Sequence, residues 1–317
     1  MQLVPLHAMD WNSEYIADLI RRALEEDVGA GDATTLATIP TQAAGRARVI
    51  ARAPLICAGL PLVECAFEIL DPEMEFEFLA KDGDRVEASR DLVRMRGSAQ
   101  AILTGERTAL NFLAHLSGIA TLTRRFVEQL KGTKARVRDT RKTTPGLRMI
   151  EKYAVRMGGG VNHRFGLHDA ILLKENHIAL AGGVKAALDK AHAYASTQVV
   201  QREISAYEAA GSPANARQCA SLPIQIEVKD ESELREALKS GAESVLLDNM
   251  TPERARSCVE LARSMRNDCV IEISGGITLE NARAYAETGA DFLSSGALTH
   301  SAPAADLSLL VDSIEDT

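Results

Sequence analysis

No uninterrupted apolar run in this 317-residue chain approaches the ~18 residues of a membrane-spanning helix. Positive charge is not in surplus either, since 36 Lys and Arg face 44 Asp and Glu, giving a formal charge of −8. Binding along nucleic-acid phosphates needs that surplus, so general nucleic-acid binding is not expected. Cysteines are few: Cys57, Cys65, Cys219, Cys258 and Cys269. Their number is odd and no CxxC or Cys/His metal spacing joins them, so they read as buried thiols of a cytosolic protein. The opening residues MQLVPLHAMDWNSE lack a basic n-region and an apolar h-region, so neither a secretory signal nor a membrane association is expected. What the chain does have is ordinary globular content, 46% hydrophobic and 25% charged, which excludes disorder. Its length predicts roughly two domains.

The average conceals a local bias. Between Lys134 and His177 there are ten Lys or Arg against four acids, a surplus of six, so the remaining residues carry −14. A basic segment inside an acidic protein points to an anion held at one place, with a solvated helix face as the bland alternative.

Ser13 can cap a helix reaching about Glu26, with Ile16, Leu19, Ile20, Ala23 and Leu24 on one stripe. The spacing then predicts strands over 46–59, 74–80 and 91–99, a helix over 60–70 and a turn at 81–84. This first third reads as an α+β layer. A strongly helical stretch covers 105–130, with Gly118 as the expected break between two helices. From residue 135 the rhythm changes to short apolar strands, each followed by a helix: 135–142, 170–177, 223–229, 244–249, 270–276 and 291–297. Glu227 to Asp248 is 21 residues, Asp248 to Ser274 is 26, and Ser274 to Ser295 is 21, about one βα unit per step. Lys174 to Glu227 is 53, with the excess assigned to 196–221. Repeated βα units form a barrel or an open doubly wound sheet, and no GxGxxG follows an early strand, so the barrel is the better reading.

Polar residues at the carboxyl ends of barrel strands converge on one mouth. That places Asp139, Arg141, Lys142, Lys174, Glu227, Asp248, Ser274-Gly275-Gly276 and Ser295-Gly296 around one opening. The two glycine-bearing ends belong to the last two strands, where backbone N–H groups commonly hold phosphate, although a tight turn explains either alone. Glu227 and Asp248 on neighbouring strands suit Mg²⁺, or charge developing on a sugar ring, or a structural ion pair. The basic groups are Thr140-Arg141-Lys142, Asn162-His163-Arg164 and Lys174, with Arg107 in the preceding helix. They imply a polyanionic substrate with a Mg-bound phosphate chain. His163 is a donor to a carboxylate or a packing residue. A Schiff-base role for Lys174 is the rival there, but Glu175, Asn176 and His177 beside it favour ion binding.

Four strings carry a resemblance: GERTALNFLAHLSGIAT (105–121), DTRKTTPGLRMIEKYAVRMGGGVNHRFGLHDAILLKENHI (139–178), EVKDESELREALKSGAESVLLDNM (227–250) and EISGGITLENARAYAETGADFLSSGALTHS (272–301). The sequence resembles the quinolinate phosphoribosyltransferase family over nearly its whole length, weakly through 25–35. The resemblance implies an α/β protein: an incomplete TIM-like βα barrel with an N-terminal α+β open sandwich domain. The expected bounds are 1–116 for the sandwich, rejoined by the tail 297–317, and 117–296 for the barrel. It also implies that quinolinate and phosphoribosyl pyrophosphate, with Mg²⁺, give nicotinate mononucleotide, pyrophosphate and CO₂.

On this resemblance Arg107, Arg141, His163 and Arg164 hold the two carboxylates. Lys142 and Lys174 face substrate anions. Glu227 and Asp248 bind Mg²⁺ or the ribose. Thr140 lies beside these groups, and the loops Ser274–Gly276 and Ser294–Gly296 hold the 5-phosphate. The resemblance implies a homodimer, or a multiple of dimers, with Arg107 donated across the interface. Where the family usually reads SVGALT this chain has Ser294-Ser295-Gly296, with the glycine retained, and 196–221 is longer than expected. A related phosphoribosyltransferase with another acceptor and a non-catalytic anion-binding barrel are the alternatives.

Overall fold

The computed structural model describes residues 9–197 and 222–315. The insertion expected at 196–221 and Cys219 therefore lie almost wholly, and wholly, outside the described residues. In chain order the elements begin with α1 (Glu14–Val28), α2 (Ala33–Thr38), β1 (Ala44–Ala51), β2 (Leu55–Ile56) and α3 (Leu60–Leu70). Next come β3 (Glu75–Phe78), β4 (Arg85–Val86), β5 (Asp91–Ser98), α4 (Ala99–Gln129), β6 (Arg136–Arg138) and α5 (Arg148–Met157). They are followed by β7 (Ile171–Leu173), α6 (Glu175–Ala181), α7 (Val184–Thr197), β8 (Ile224–Val228), α8 (Glu231–Lys239) and β9 (Ser244–Asp248). The last are α9 (Pro252–Met265), β10 (Val270–Ser274), α10 (Ala282–Ala286), β11 (Phe292–Ser294), α11 (Ala297–His300) and β12 (Leu307–Glu315). Among the described residues no helix is long and apolar enough to cross a membrane.

Two compact units emerge. One comprises Met9–Arg124, Tyr153–Gly159 and the described tail from Ala302. Its four-stranded antiparallel sheet has the order β12-β1-β5-β3, so the end of the chain pairs with the first strand along its length. On β1, Ala47 and Val49 are buried while Arg46 and Arg48 face outward, the period of two that a one-sided sheet needs. Of the stripe on α1, Ile16, Ile20 and Leu24 are buried. Ser13 does not cap as expected: its hydroxyl donates to the Asp10 carbonyl at 2.8 Å instead of accepting from the helix.

Gly118 is not a break. α4 runs through it unbroken, and a Cβ at that position would lie 2.1 Å from the Pro303 carbonyl oxygen. The glycine is there so that the returning tail can touch the helix backbone. Within α4 the chain passes from one unit to the other between Arg124 and Arg125, and the described tail of the first unit starts at Ala302.

The second unit comprises the described residues of Arg125–Lys152 and Gly160–Ser301. Its six strands are all parallel, in the order β6-β11-β10-β9-β8-β7. The two earliest strands thus stand at opposite ends, and joining them would close a barrel. Among the described residues they do not pair. Among the described residues the outer edge of β6 is met by Val161, whose N–H donates to the Val137 carbonyl at 2.9 Å. This is an incomplete barrel. Its strands are shorter than the expected segments: β7 ends at Leu173, and Lys174 already caps α6.

The two faces of this sheet differ sharply. Val137, Ile226, Val228, Val245, Leu247, Ile271, Ile273 and Leu293 are essentially fully buried on one face. Alternate positions on the other face carry Arg138, Gln225, Glu227, Asp248, Glu272, Ser274 and Ser294. The inner face of a βα barrel is ordinarily filled by branched apolar side chains, so a charged lining marks a place where chemistry has displaced packing.

Candidate active site at the carboxyl ends of the parallel strands

The deepest group of this lining is Glu272, which has no exposed side-chain surface. Arg138 donates to it at 2.7 Å, Gln225 Nε2 donates at 3.0 Å, and the Ser294 hydroxyl donates to its other oxygen. Burial pushes the Glu272 carboxyl upward, but the opposing charges and hydrogen bonds outweigh burial and hold it below the ordinary value. Arg138 also stacks over the Phe292 ring at 3.8 Å.

His163 lies above this group. Burial lowers its pKa, more than Glu272 raises it, so the ring is neutral near pH 7. His163, when protonated, and Arg138 at all pH values supply the opposing charge to Glu272. Nδ1 accepts from the Arg164 N–H at 2.8 Å, and Nε2 stands 3.2 Å from Gln225 Oε1 and 3.5 Å from Glu272 Oε1. These contacts assign the proton to Nε2. Both ring nitrogens are therefore engaged within the protein, so donation to a substrate carboxylate requires His163 to release one of them.

Asp139, fully buried, is a second node. It accepts from Lys152 Nζ at 2.5 Å, from the His163 N–H at 2.7 Å and from Asn162 Nδ2 at 2.5 Å. It thus organises the mouth and does not stand free in it. Burial lowers the Lys152 pKa more than Asp139 raises it.

Arg141 and Arg164 rise from this base. Each has a buried Nε without a hydrogen-bond partner in the protein. The pKa of Arg164 is lowered, first by burial and then by the nearby Arg141 charge. Its Nη1 donates to the Ala170 carbonyl at 2.9 Å. Two neighbouring guanidinium groups that repel each other, each with an unanswered donor, form a ready receptor for paired carboxylate oxygens.

The other expected residues are placed as follows. Lys174 meets Glu227 at 3.2 Å, with Lys174 half exposed, so each is partly answered by the other. Asp248 accepts from Asn249 Nδ2 at 2.6 Å and lies in register with Ser274, itself in register with Ser294. Thr140 accepts from the Lys142 N–H at 3.0 Å. The Lys142 stem passes the last strand so closely that a Cβ at Gly296 would be 2.9 Å from its Cδ. Gly275 has φ +97° and leaves no room for a Cβ, which would fall 2.2 Å from Asn249 Oδ1. Among the described residues no protein acceptor takes the N–H of Gly275, Gly276 or Gly296.

The hydroxyls of Ser294 and Ser295 are not available to a phosphate. Ser294 donates inward to Glu272, and Ser295 donates to the Ile277 carbonyl at 2.9 Å while its N–H goes to the Arg138 carbonyl at 3.0 Å. The departure at Ser295 therefore points into the fold. Arg107 is on α4 in the other unit, with its side chain 61% exposed. Of the described cysteines, Cys57, Cys258 and Cys269 are buried, but Cys65 is only half-buried.

Sequence reading missed Arg138, Arg148, Lys152, Gln225 and Glu272. A signal was present in the strands. Arg138, Gln225 and Glu272 interrupt apolar segments at alternate positions, and Gln225 and Glu272 stand two residues before the expected Glu227 and Ser274.

For Mg²⁺ the protein offers little by itself. Among the described residues no three His, Cys, Asp or Glu side chains group closely enough to hold a metal ion. Glu227 and Asp248 fit only a metal whose other ligands arrive with the substrate.

Parallel βα units, a polar inner face and two neighbouring guanidinium groups with unanswered Nε donors define a βα-barrel protein whose mouth suits small anions. Residues 32–117 match the N-terminal domain of quinolinate phosphoribosyl transferase, and 119–217 and 212–310 match its C-terminal domain. The chain belongs to the quinolinate phosphoribosyltransferase family. A probable nicotinate-nucleotide pyrophosphorylase (carboxylating) of Bacillus subtilis is 38% identical over 298 residues, covering 94% of each chain. The nicotinate-nucleotide pyrophosphorylase (carboxylating) of Mycobacterium leprae is 39% identical over 298 residues, 92% of this chain and 95% of that one. Among solved structures, the nicotinate-nucleotide pyrophosphorylase of Francisella tularensis superposes with a TM-score of 0.83 at 36% identity, covering 94% of this chain and 96% of its own. NadC from Streptococcus pyogenes gives 0.82 at 37% identity, covering 95% and 96%.

Proposed function

We propose that this protein is a quinolinate phosphoribosyltransferase, a decarboxylating pentosyltransferase of NAD biosynthesis. The observation that carries the reading is the pair Arg141 and Arg164, buried at Nε, mutually repelling and without carboxylate partners at those atoms. A pyridine with carboxylates on adjacent carbons answers both. The pyridine nitrogen forms a bond to the ribose carbon as the bond from that carbon to pyrophosphate breaks, and the electron pair leaves with pyrophosphate. The positively charged ring then accepts the electrons of the bond to the 2-carboxylate, CO₂ departs, and the ring carbon takes up a proton. The substrate is itself the nucleophile, so the protein contributes position and charge.

In this reading Glu227 and Asp248 face the positive charge that develops on the ribose, and Lys142 and Lys174 face departing pyrophosphate. The free N–H groups of Gly275, Gly276 and Gly296 meet the 5-phosphate. Mg²⁺ is the proposed cofactor: Glu227 and Asp248 would hold it together with substrate oxygens, and it would neutralise charge on the departing pyrophosphate. We also propose a cytoplasmic homodimer to which Arg107 contributes across the interface.

The test mixes the protein with quinolinate, phosphoribosyl pyrophosphate and Mg²⁺ and measures CO₂ and pyrophosphate release. Stoichiometric release of both is expected. Turnover on nicotinate without turnover on quinolinate would overturn the assignment in favour of a related transferase, and no turnover on either would favour the binding barrel.

A further inference from the structure

Helix α5 carries Arg148, Glu151 and Lys152, and positions three and four apart share one helix face. All three side chains are spent on two loops. Arg148 donates through Nε to the Thr143 hydroxyl at 3.0 Å and through Nη1 to the Phe165 carbonyl at 3.1 Å. Its Nη2 stands 3.5 Å from the Arg141 carbonyl. Glu151, fully buried, accepts from the Thr144 N–H at 3.1 Å. Lys152 joins Asp139 to the His163 carbonyl, which it meets at 3.1 Å.

One helix face thus ties the segment bearing Arg141 to the segment bearing Arg164. Some such tie is required. The two guanidinium groups repel each other, so without it the loops would relax apart. Arg148 is the member that touches both loops beside the two arginines, because a planar fork can serve several acceptors at fixed angles.

We infer that Arg148 is a positioning residue which fixes the spacing of Arg141 and Arg164 and thereby selects an acceptor with two adjacent carboxylates over one with a single carboxylate. The inference rests on the quinolinate reading and deepens it. A dicarboxylate answers both guanidinium groups at their fixed separation, whereas a monocarboxylate leaves one buried Nε unanswered beside a like charge. Loosening the tie lets the arginines separate, so the dicarboxylate loses more than the monocarboxylate.

The test compares the full-length protein with Arg148→Ala and Arg148→Lys. Calorimetric titration with quinolinate and with nicotinate reads selectivity at equilibrium, and steady-state kinetics read KM for both substrates. In Arg148→Ala the quinolinate Kd should rise about tenfold or more, as loss of charge-directed contacts commonly produces. The nicotinate Kd and the KM for phosphoribosyl pyrophosphate should each stay within about threefold on the same scale. Arg148→Lys should fall between, since an ammonium can hold one loop but not bridge two.

Amide hydrogen exchange reads the tie without any substrate. Residues 139–147 and 162–170 should both exchange faster in Arg148→Ala, while strands β8 to β10 keep wild-type protection. Unchanged exchange in either loop overturns the inference, and so does faster exchange with unchanged quinolinate selectivity. A merely structural role would lower kcat and stability while leaving the ratio of the two Kd values where it was. If wild-type protein does not prefer quinolinate to nicotinate, the selectivity inference falls with that reading. If wild type prefers quinolinate and Arg148→Ala keeps the preference, only the inference falls.

Discussion

Replacing Glu272 by Gln is a demanding test of the charged barrel interior, because shape is kept and only charge and one acceptor are lost. The carboxylate serves Arg138 and Gln225 on one oxygen, and Ser294 and His163 on the other. Whichever way the amide of the variant turns, its NH₂ meets a group that had been donating. The Arg138 guanidinium, 3% exposed, then has no counter-charge at 2.7 Å. Breaking a buried pair in this way costs about 3–5 kcal/mol. Calorimetry and urea unfolding followed by far-ultraviolet circular dichroism should show a loss of that size at pH 7.

The dependence on pH gives the sign. The folded-state pKa of Glu272 is lowered below its ordinary 4.5, so its contribution is complete above that value and is lost as pH falls through the depressed folded value. The gap between wild type and Glu272→Gln should therefore narrow on acidification below 4.5. His163 acts in a higher window. Its folded pKa is below 6.5, so the unfolded chain takes up its proton first and both proteins lose stability as pH falls from there. Glu272 raises the His163 pKa, so Glu272→Gln loses more in this window and the gap widens there before it narrows below 4.5. Replacing both partners, Arg138→Met with Glu272→Met, should recover most of the loss, since neither charge is then stranded. A gap under about 1 kcal/mol at pH 7, or one that does not narrow in acid, would refute the account of a charge-balanced core.

Gly118→Ala should destabilise the antiparallel unit by about 3 kcal/mol or more, because the added Cβ falls 2.1 Å from backbone that cannot turn aside. Fluorescence of Trp11, the sole tryptophan and packed edge-on against Tyr153 at 4.8 Å, reports unfolding of that unit. Wild-type stability would mean the tail does not hold this position. Arg107→Ala and Lys142→Ala should each be inactive alone, and mixing them with subunit exchange should restore up to about one working site in four, the effective arrangement for shared sites. No recovery in the mixture would count against donation of Arg107 across an interface.

How much of this was legible beforehand differs from place to place. The βα rhythm from residue 135 was readable because strands buried under helices must be apolar on that face, and glycine or polar residues must end them. Arg141, Glu227 and Asp248 were readable as strand-end chemistry for the same reason, and Arg164 as part of the basic segment. Glu272 was not, since within VIEIS it looks like an ordinary outward-facing residue of a half-exposed strand. Arg148 and Lys152 likewise look like the solvated face of a helix. Gly118 was read as a break because local propensity makes glycine a helix interruption, whereas the Pro303 carbonyl that requires it lies far away in the chain.

By itself the sequence determined the class of fold, the location of the basic segment and the residues that crown the strands, all of which follow from periodicity and local chemistry. Only the tertiary structure decided which charges are answered and which are left free. Asp139, Glu272, Lys152 and Arg148 are consumed in building the mouth, whereas Arg141 and Arg164 keep donors for a ligand. The reason is physical. A charge becomes structural or functional according to what stands within about 3 Å of it, and those neighbours come from strands, loops and helices separated along the chain.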